Sequence, residues 1–307
     1  MVAANPRFLR WRRRMLARAE WDGTYPVGRK RGVKVDTKAR ISDRCESVTK
    51  IMGLVPRSDW ETLCKSDAEL GKRDWVRYVL NQESVGSCAA EAADQCLAMR
   101  IFNDLNYEPP VFNPWFNYQK TSGGRDNGSV IGHNVEDLRD RGACPEEIRP
   151  RIRGWRAAPT AEELRIAKLF RLLSFYYVKD DSEFVSALLQ GFAIHFGYTG
   201  HSIVAVLYLG SGKILYVNSW DVSWGDKGFG VLSLDKIRYD YGAYAYSVVQ
   251  PWDRKIWVPK LNQAALAQAV NGFMRTMDSI HHPWADRQEN VRVEAYRRSL
   301  QACGLAG

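Results

Sequence analysis

Hydrophobic positions in the middle of the chain follow helical spacing in some segments. Apolar residues recur every fourth position from a helix start near residues 87–88; they are Ala89, Ala93, Leu97, Ile101 and Leu105. Thr160 and Glu163 have the spacing of a capping box ahead of a second helix. A third helix is predicted over residues 181–190, with Gly191 as its C-terminal glycine.

Short aromatic and β-branched runs predict strands in the same region. Residues 174–178, SFYYV, predict the first of them. Four later runs, with a GSGK turn after the second, predict an antiparallel meander; they are residues 192–197, 202–209, 214–220 and 229–234. Helices together with antiparallel strands indicate an α+β domain.

Both ends of the chain differ from this middle part. The first end predicts a basic helix, because an apolar stripe and an arginine row both recur at helical spacing; the positions are Phe8, Trp11 and Met15, and Arg7, Arg10, Arg14 and Arg18. Two apolar stripes beyond Trp252 predict helices that pack on the domain or on a protein partner. We therefore expect an N-terminal arm (1–45), a central domain (46–255) and a helical C-terminal extension (256–307).

The net charge of +9 is a property of the arm alone. Residues 1–40 contain 12 Lys and Arg against three acidic residues, and the charges of the rest of the chain balance. Such a segment predicts a polyanionic partner, which could be nucleic acid, an anionic membrane or an acidic assembly partner. A solvated terminus is the alternative.

Composition excludes several classes of protein. A chain of 307 residues with 45% hydrophobic and 26% charged residues is typical of a soluble globular protein. It has no apolar run of the ~20 residues that a membrane helix needs, and no apolar signal core near its start. We expect it in the cytoplasm or within a virus particle. Six cysteines without a CxxC pair exclude zinc ribbons and redox dithiols, and most should be buried free thiols.

Three short segments carry residue types suited to acyl transfer by a thiol. Cys88 opens the Ala-rich helix, where the helix dipole favours a thiolate. His201, before an apolar strand, could pair with that thiolate, and Asn218 could orient the imidazole. Gln82, six residues before the cysteine, could donate to an oxyanion together with the backbone N–H of Cys88. This order predicts a Cys–His–Asn triad.

These segments resemble the papain-like cysteine peptidases over roughly residues 55–250. The Gln-to-Cys spacing matches, as does Asn218-Ser219-Trp220 followed by Trp224-Gly225. The resemblance implies a papain-like fold, with a helical subdomain around the cysteine helix and an antiparallel β subdomain. It also implies hydrolysis of protein or peptide substrates through a thioester, shielding of the His–Asn pair by Trp220, and no cofactor or metal.

The chain departs from the family pattern near each segment. Val85 and Ala89 replace a cysteine and an aromatic residue around the nucleophile, and Asp221 replaces a glycine. The interval from Cys88 to His201 is shorter than in the family, and the connection just before the histidine, which in the family shapes the cleft, is short as well. Subsite preferences are therefore not carried over. The first 55 or so residues stand where the family has an inhibitory propeptide, but they lack its usual length and long helix, so a permanent docking element is the alternative.

A second function hypothesis is a catalytically weak papain-like protein that serves as a structural or docking part of a larger assembly, such as a virus particle. The two hypotheses separate on the reactivity of Cys88. Transglutaminase-like chemistry would need an Asp where Asn218 stands. Among other histidines, His195 should be a satisfied core residue and His133 should lie in a structural glycine-rich loop. For His281 and His282 no metal-binding partners are evident.

Overall fold

The computed structural model describes residues 6–36, 44–66 and 71–251. The chain divides into two units, Met1–Asp253 and Arg254–Gly307, and every described residue belongs to the first. The predicted C-terminal helices lie outside the described residues, so that prediction stays untested.

The described helices include the long one predicted to begin at the cysteine. They are α1 (Pro6–Leu16), α2 (Trp60–Leu63), α3 (Cys88–Leu105), α4 (Trp115–Thr121), α5 (Ile131–Asp140), α6 (Ala161–Ala167) and α7 (Asp181–Leu189). The capping box of Thr160 and Glu163 is confirmed at the start of α6. Among the described residues, no helix has both the length and the apolar character that would let it cross a membrane.

The described part of the chain contains eight strands in two sheets. They are β1 (Val33–Lys34), β2 (Ser129–Val130), β3 (Leu172–Tyr177), β4 (Ile194–Tyr198), β5 (His201–Gly210), β6 (Lys213–Val217), β7 (Phe229–Ser233) and β8 (Ala243–Val249). The larger sheet has the order β3-β8-β4-β5-β6-β7 with antiparallel neighbours, while β1 and β2 pair in parallel.

The predicted meander is confirmed as β4 to β7. Sequence analysis did not predict β8, which enters the sheet between β3 and β4. Its pairing partners are remote in sequence, for example Phe175 with Tyr246. A strand that completes a sheet through distant neighbours leaves no turn signal beside it, which explains why it was missed.

The short connection before β5 determines where that strand begins. Thr199 and Gly200 both have positive φ, 47° and 78°, as a two-residue hairpin of the primed type requires. Tyr198 therefore pairs with His201 directly across the turn. Helix α3, which begins at Cys88, packs against β5 and β8 of the larger sheet. The cysteine helix and strand β5 are therefore parts of the same core.

The described part of the basic arm packs on the rest of the first unit. Helix α1 confirms the predicted N-terminal helix, and it buries Met15 completely. Arg12 is also buried, donating to Cys64 Sγ at 3.3 Å and facing Glu61 at 3.5 Å. The solvent face carries the exposed side chains of Arg10 and Arg14. Beyond α1 the arm continues to β1, which pairs with β2 close to the cysteine helix.

Candidate active site

The segment that precedes α3 is hydrogen-bonded through its backbone to the segment that follows β6. Gln82 N–H donates to the Ser219 carbonyl at 2.9 Å, and Asn81 forms an isolated antiparallel bridge with Trp220. Helix α3 begins directly afterwards at Cys88, whose side chain is fully buried. Two segments that are remote from each other in sequence are therefore held side by side at the start of the helix.

The side chains of His201, at the start of β5, and Asn218, just after β6, are hydrogen-bonded to each other. His201 Nε2 lies 2.7 Å from Asn218 Oδ1, and the Ser219 N–H donates to the same oxygen at 2.7 Å. An amide oxygen only accepts hydrogen bonds, so His201 carries a proton on Nε2. In the neutral ring, Nδ1 is then free to accept a proton. It is buried and has no hydrogen-bond partner among the described residues.

Trp220 joins the histidine to Gln82. Its ring stacks on the imidazole of His201, with the ring centres 4.6 Å apart and the planes 25° from parallel. Its indole N–H donates to Gln82 Oε1 at 3.0 Å, and Ser219 Oγ donates to the same oxygen at 3.2 Å. These two donors orient the Gln82 amide so that its nitrogen faces the other way.

The Gln82 nitrogen faces the arm. Nε2 donates to the carbonyl of Lys30 at 3.1 Å and to the carbonyl of Val85 at 2.9 Å. The structure therefore brings all five predicted site residues into one neighbourhood, with a segment of the arm lying across it; they are Gln82, Cys88, His201, Asn218 and Trp220.

Burial keeps the cysteine and the histidine uncharged in this closed arrangement. Burial raises the pKa of the Cys88 thiol to about 12, although backbone hydrogen bonds from Ser202 and Gly32 act in the opposite direction. Burial lowers the pKa of His201 to about 4, against the effect of its hydrogen bond with Asn218. Because Ser202 follows His201 directly, this hydrogen bond brings the sulphur to the start of β5, the strand that His201 opens. The closed site holds a neutral thiol and a neutral ring.

Two aromatic residues of the arm cover the imidazole. Trp21 and Tyr25 both meet the His201 ring edge-on, with ring centres 5.6 Å apart in each case. They contact Trp220 in the same way, at 5.0 and 5.5 Å. Glu20, just before them, anchors the arm by accepting hydrogen bonds from Ser233 and pairing with the Lys236 ammonium at 2.8 Å.

The arm passes directly over the Cys88 thiol at Gly32. A Cβ atom there would lie only 2.8 Å from Cys88 Sγ and would overlap the carbonyl oxygen of Gly86. The backbone around Gly32 is bound on both sides, because its N–H donates to the Gly200 carbonyl at 3.2 Å and its carbonyl accepts from Ser129 at 2.8 Å. Only a glycine fits between the thiol and these partners.

Two basic residues fix the arm just before Gly32. Arg29 donates to Asn81 Oδ1 at 2.5 Å and to the Glu83 carbonyl at 2.9 Å. Lys30 lies 2.5 Å from Asp126 Oδ2. The basic character of this part of the arm is thus directed into the cleft.

The loop that carries Asp126 was expected to be structural, and it contacts the segment just before the cysteine helix. Asp126 Oδ1 accepts from the Gly86 N–H at 2.7 Å, which sets the carboxylate two residues from Cys88. His133, assigned to the same loop, lies instead on α5 and is exposed. The spacing of the sequence carried no signal for either position. His195 is a satisfied core residue as predicted, with its two ring nitrogens bonded to Tyr246 and Ser202.

The cysteines agree with the sequence analysis as far as they are described. All five described ones are free, four are buried, and Cys96, two turns along α3, is among those. Over residues 6–36, 44–66 and 71–251, no group of three or more His, Cys, Asp or Glu side chains is arranged to hold a metal ion.

Comparison with known proteins identifies the fold. No family profile and no curated protein sequence matches the chain. Among solved structures, the chain is similar to xylellain, a cysteine protease from Xylella fastidiosa, at 17% identity and a TM-score of 0.54 over 74% of this chain and all of that one.

Two further structures support the same conclusion. Procathepsin L2 proteinase from the larval midgut of Tenebrio molitor matches at 12% identity and a TM-score of 0.56, over 72% of this chain and 79% of that one. A recombinant stem bromelain precursor matches at 14% identity and a TM-score of 0.51, over 66% of this chain and 76% of that one. The chain therefore has the α+β papain-like fold of cysteine proteases, as the sequence predicted.

Proposed function

We propose that this protein is a cysteine peptidase that hydrolyses peptide bonds with Cys88 as its nucleophile. One observation carries the proposal: a histidine held by Asn218 and stacked on Trp220 opens a strand whose second residue, Ser202, hydrogen-bonds through its backbone to a cysteine at the first turn of a helix. Each group has the chemical type and the partner that acyl transfer requires. The papain-like fold adds support, since the similar solved structures are cysteine proteases.

In the proposed reaction the proton of the Cys88 thiol moves to His201, and the sulphur attacks the carbonyl carbon of the substrate. A C–S bond forms as the C–N bond breaks, and the imidazolium gives its proton to the departing amine. Water then adds to the thioester while His201 accepts a proton. The C–S bond breaks, the acid product leaves, and the free thiol is restored.

The surrounding groups stabilise charge that develops along this path. Gln82 has an amide nitrogen that its other bonds direct toward the cleft, where it can donate to the oxyanion with the Cys88 N–H. Asn218 keeps the imidazole in one tautomer, and the Trp220 ring excludes water from that hydrogen bond.

We also propose that the arm keeps this peptidase inactive until it moves. Gly32 occupies the space next to the sulphur, and the Lys30 carbonyl takes the Gln82 donor that an oxyanion would use. A neutral thiol is a poor nucleophile, and the closed site raises its pKa to about 12. Displacing the arm would admit both substrate and water.

The test uses the full chain opened by Gly32→Val and a mixture of quenched fluorescent peptides. We expect hydrolysis that disappears in the Gly32→Val, Cys88→Ala double variant and persists in the matched Gly32→Val, Cys96→Ala variant. A peptidyl epoxide should label Cys88 selectively, as read by peptide mass spectrometry. Labelling of Cys88 by iodoacetamide without any Cys88-dependent hydrolysis or epoxide labelling would refute the proposal.

The second candidate is a closed papain-like scaffold that docks through its arm. It is favoured by the buried, uncharged pair of Cys88 and His201 and by the arginines that α1 exposes to solvent. On this hypothesis, the opened chain would bind an assembly partner but leave peptides intact. The same assay therefore separates the two functions.

A further inference from the structure

Two carboxylates flank the candidate nucleophile, and the arm neutralises each with one of two consecutive basic residues. Arg29 Nη2 lies 3.8 Å from Asp221 Oδ2, beside Trp220. Lys30 Nζ lies 2.5 Å from Asp126 Oδ2, beside Gly86. Neighbouring residues of the arm thus bind two separate segments near the site, namely the one that follows Trp220 and the loop before β2.

The Asp126 carboxylate is fixed by the domain and not by the arm. Its Oδ1 accepts from the Gly86 N–H at 2.7 Å and from the Tyr118 hydroxyl at 3.0 Å. Within the part of the chain that the structure describes, Lys30 is the only group hydrogen-bonded to Oδ2. When the arm leaves, Oδ1 keeps both donors, and Oδ2 remains aimed at the place that the ammonium occupied.

The Asp221 carboxylate is fixed in a similar way. Its Oδ1 accepts from the Ser223 N–H at 2.7 Å, and its Oδ2 accepts from the Asn81 side chain at 3.2 Å. Asp221 has a φ of 58°, a conformation that favours glycine. Aspartate tolerates it at some strain, so the position carries a carboxylate where glycine would be easier.

Both carboxylates are in the ionised form that attracts a cation. Burial acts to raise the pKa of Asp126, but hydrogen bonds from Lys30, Gly86 and Tyr118 outweigh it, and the pKa lies below the ordinary value. Hydrogen bonds from Ser223 lower the pKa of Asp221. With the arm displaced, Gly86 and Tyr118 still support the negative charge on Asp126.

We propose that the open cleft selects peptides with two consecutive basic residues next to the bond that Cys88 attacks. This inference rests on the proposed peptidase function and names its substrate class. Asp126 and Asp221 would each bind one of the two basic side chains, as they bind Lys30 and Arg29 of the arm. A charged pair of this kind adds specificity, since a neutral peptide leaves both carboxylates without a cationic partner.

The experiment uses the full chain opened by Gly32→Val, after iodoacetamide labelling has shown that Cys88 is accessible. Matched peptides carry either Lys-Lys or norleucine-norleucine at the same two positions, on one side or the other of the cleaved bond, which mass spectrometry identifies. We expect kcat/KM to be at least about 10-fold higher for the best lysine peptide, and the ratio to fall as ionic strength rises.

Variants of the carboxylates assign the preference to its source. Asp126→Asn and Asp221→Asn should each reduce the lysine-to-norleucine ratio by roughly 3- to 10-fold, and the double variant should bring it close to one. Asp140→Asn removes an exposed carboxylate at the end of α5 and should leave the ratio unchanged. If Gly32→Val does not fold, Trp21→Ala with Tyr25→Ala opens the same cleft through different contacts.

The outcomes separate this inference from the function on which it rests. Cys88-dependent cleavage of both peptide sets at equal rates would overturn the basic preference and leave the peptidase function standing. A preference for lysine that survives in the double Asp variant would also overturn it. An accessible Cys88 with no cleavage of any peptide would refute the peptidase function itself.

Discussion

The candidate site and the arm segment above it are held in opposite ways. His201 begins a ten-residue strand with partners on both sides, and Asn218 follows the next strand of the same sheet. In its described part beyond α1, the arm contributes the two-residue strand β1, and side-chain and backbone contacts at separate points hold the rest of it. Regular sheet structure opens as a unit, whereas separate anchors release one by one. The site should therefore stay assembled while the arm opens.

The two regions also differ in charge. The cleft presents carboxylates at Asp126 and Asp221, while the arm brings Arg29 and Lys30 to meet them. Contacts at the arm are partly exposed, since the Lys30 side chain is 52% accessible, and such ion pairs are individually weak. Steric fit at Gly32 and aromatic cover by Trp21 and Tyr25 must supply much of the closure.

The largest effect is expected from a change in the body of the site. In the chain opened by Gly32→Val, Gln82→Ala should lower kcat by about 10²-fold, the order expected for loss of one oxyanion donor. KM should change much less, because the donor acts on the transition state. Steady-state kinetics on one peptide measures both constants. A kcat that stays within twofold would show that Gln82 does not serve the oxyanion.

A smaller effect is expected from the arm. Gly32→Val in the otherwise unchanged chain forces a side chain against Gly86 and Cys88, and such overpacking costs about 1–3 kcal/mol. The closed form should lose that free energy, so alkylation of Cys88 by iodoacetamide should become roughly 10- to 100-fold faster.

The matched control for this change is Gly53→Val. A Cβ at Gly53 meets no atom within 4 Å, so the same substitution there should leave the labelling rate of Cys88 unchanged. Equal labelling rates in Gly32→Val and the unchanged chain would mean that the arm does not limit access to the thiol.

The smallest effect is a dependence of arm opening on pH. The pKa of His201 is lowered from 6.5 to about 4 in the closed form, so opening takes up a proton between these values. Stability of the closed form should therefore fall as pH falls below 6.5, by at most a factor of about 10 in the equilibrium constant for each pH unit.

Glu20 adds a second effect at lower pH. Hydrogen bonds from Lys236 and Ser233 outweigh burial and lower the pKa of Glu20 from 4.5 to about 2. Its stabilising contribution is present above pH 4.5 and is lost as pH falls toward 2.

Hydrogen exchange measures this dependence on the chain as it is. Between pH 6.5 and 5, protection of the amides in residues 20–36 should drop by up to about 15-fold after correction for the intrinsic rate. Amides of β3 serve as the internal control, because that strand contains none of the five site residues. Arm protection that is constant or higher at pH 5 would contradict the linkage to His201.

Sequence alone predicted those parts of the molecule whose determinants are local. The four-residue spacing of α3, the capping box at Thr160 and the meander are each visible within a short window of sequence. The grouping of Cys88, His201 and Asn218 followed from their order and flanking residues. What could not be predicted depends on distant partners: β8 between β3 and β4, and the Asp126 loop beside Gly86.

The course of the arm was the largest omission, for a physical reason. A count of its basic residues indicates a solvated terminus, because the count does not show their partners. The carboxylates that pair with Arg29 and Lys30 lie far along the chain, at Asp221 and Asp126. The sequence also gives no sign that residue 32 must be glycine, because a side chain there would collide with Gly86 and Cys88, which are distant in sequence. Charge counts identify a segment suited to an acidic partner, and they do not tell whether that partner is another molecule or the same one.

The arm is covalently joined to the domain that it covers. When the arm leaves the cleft, it therefore stays near the cleft and is not diluted into the solution. A tethered segment competes at an effective concentration that is of the order of millimolar for a short flexible connection. Occupation of the cleft should therefore be independent of protein concentration, and a peptide added from outside must outcompete a neighbour that never diffuses away. A single cut in the chain between the arm and the domain would abolish that advantage and convert a reversible opening into a lasting one.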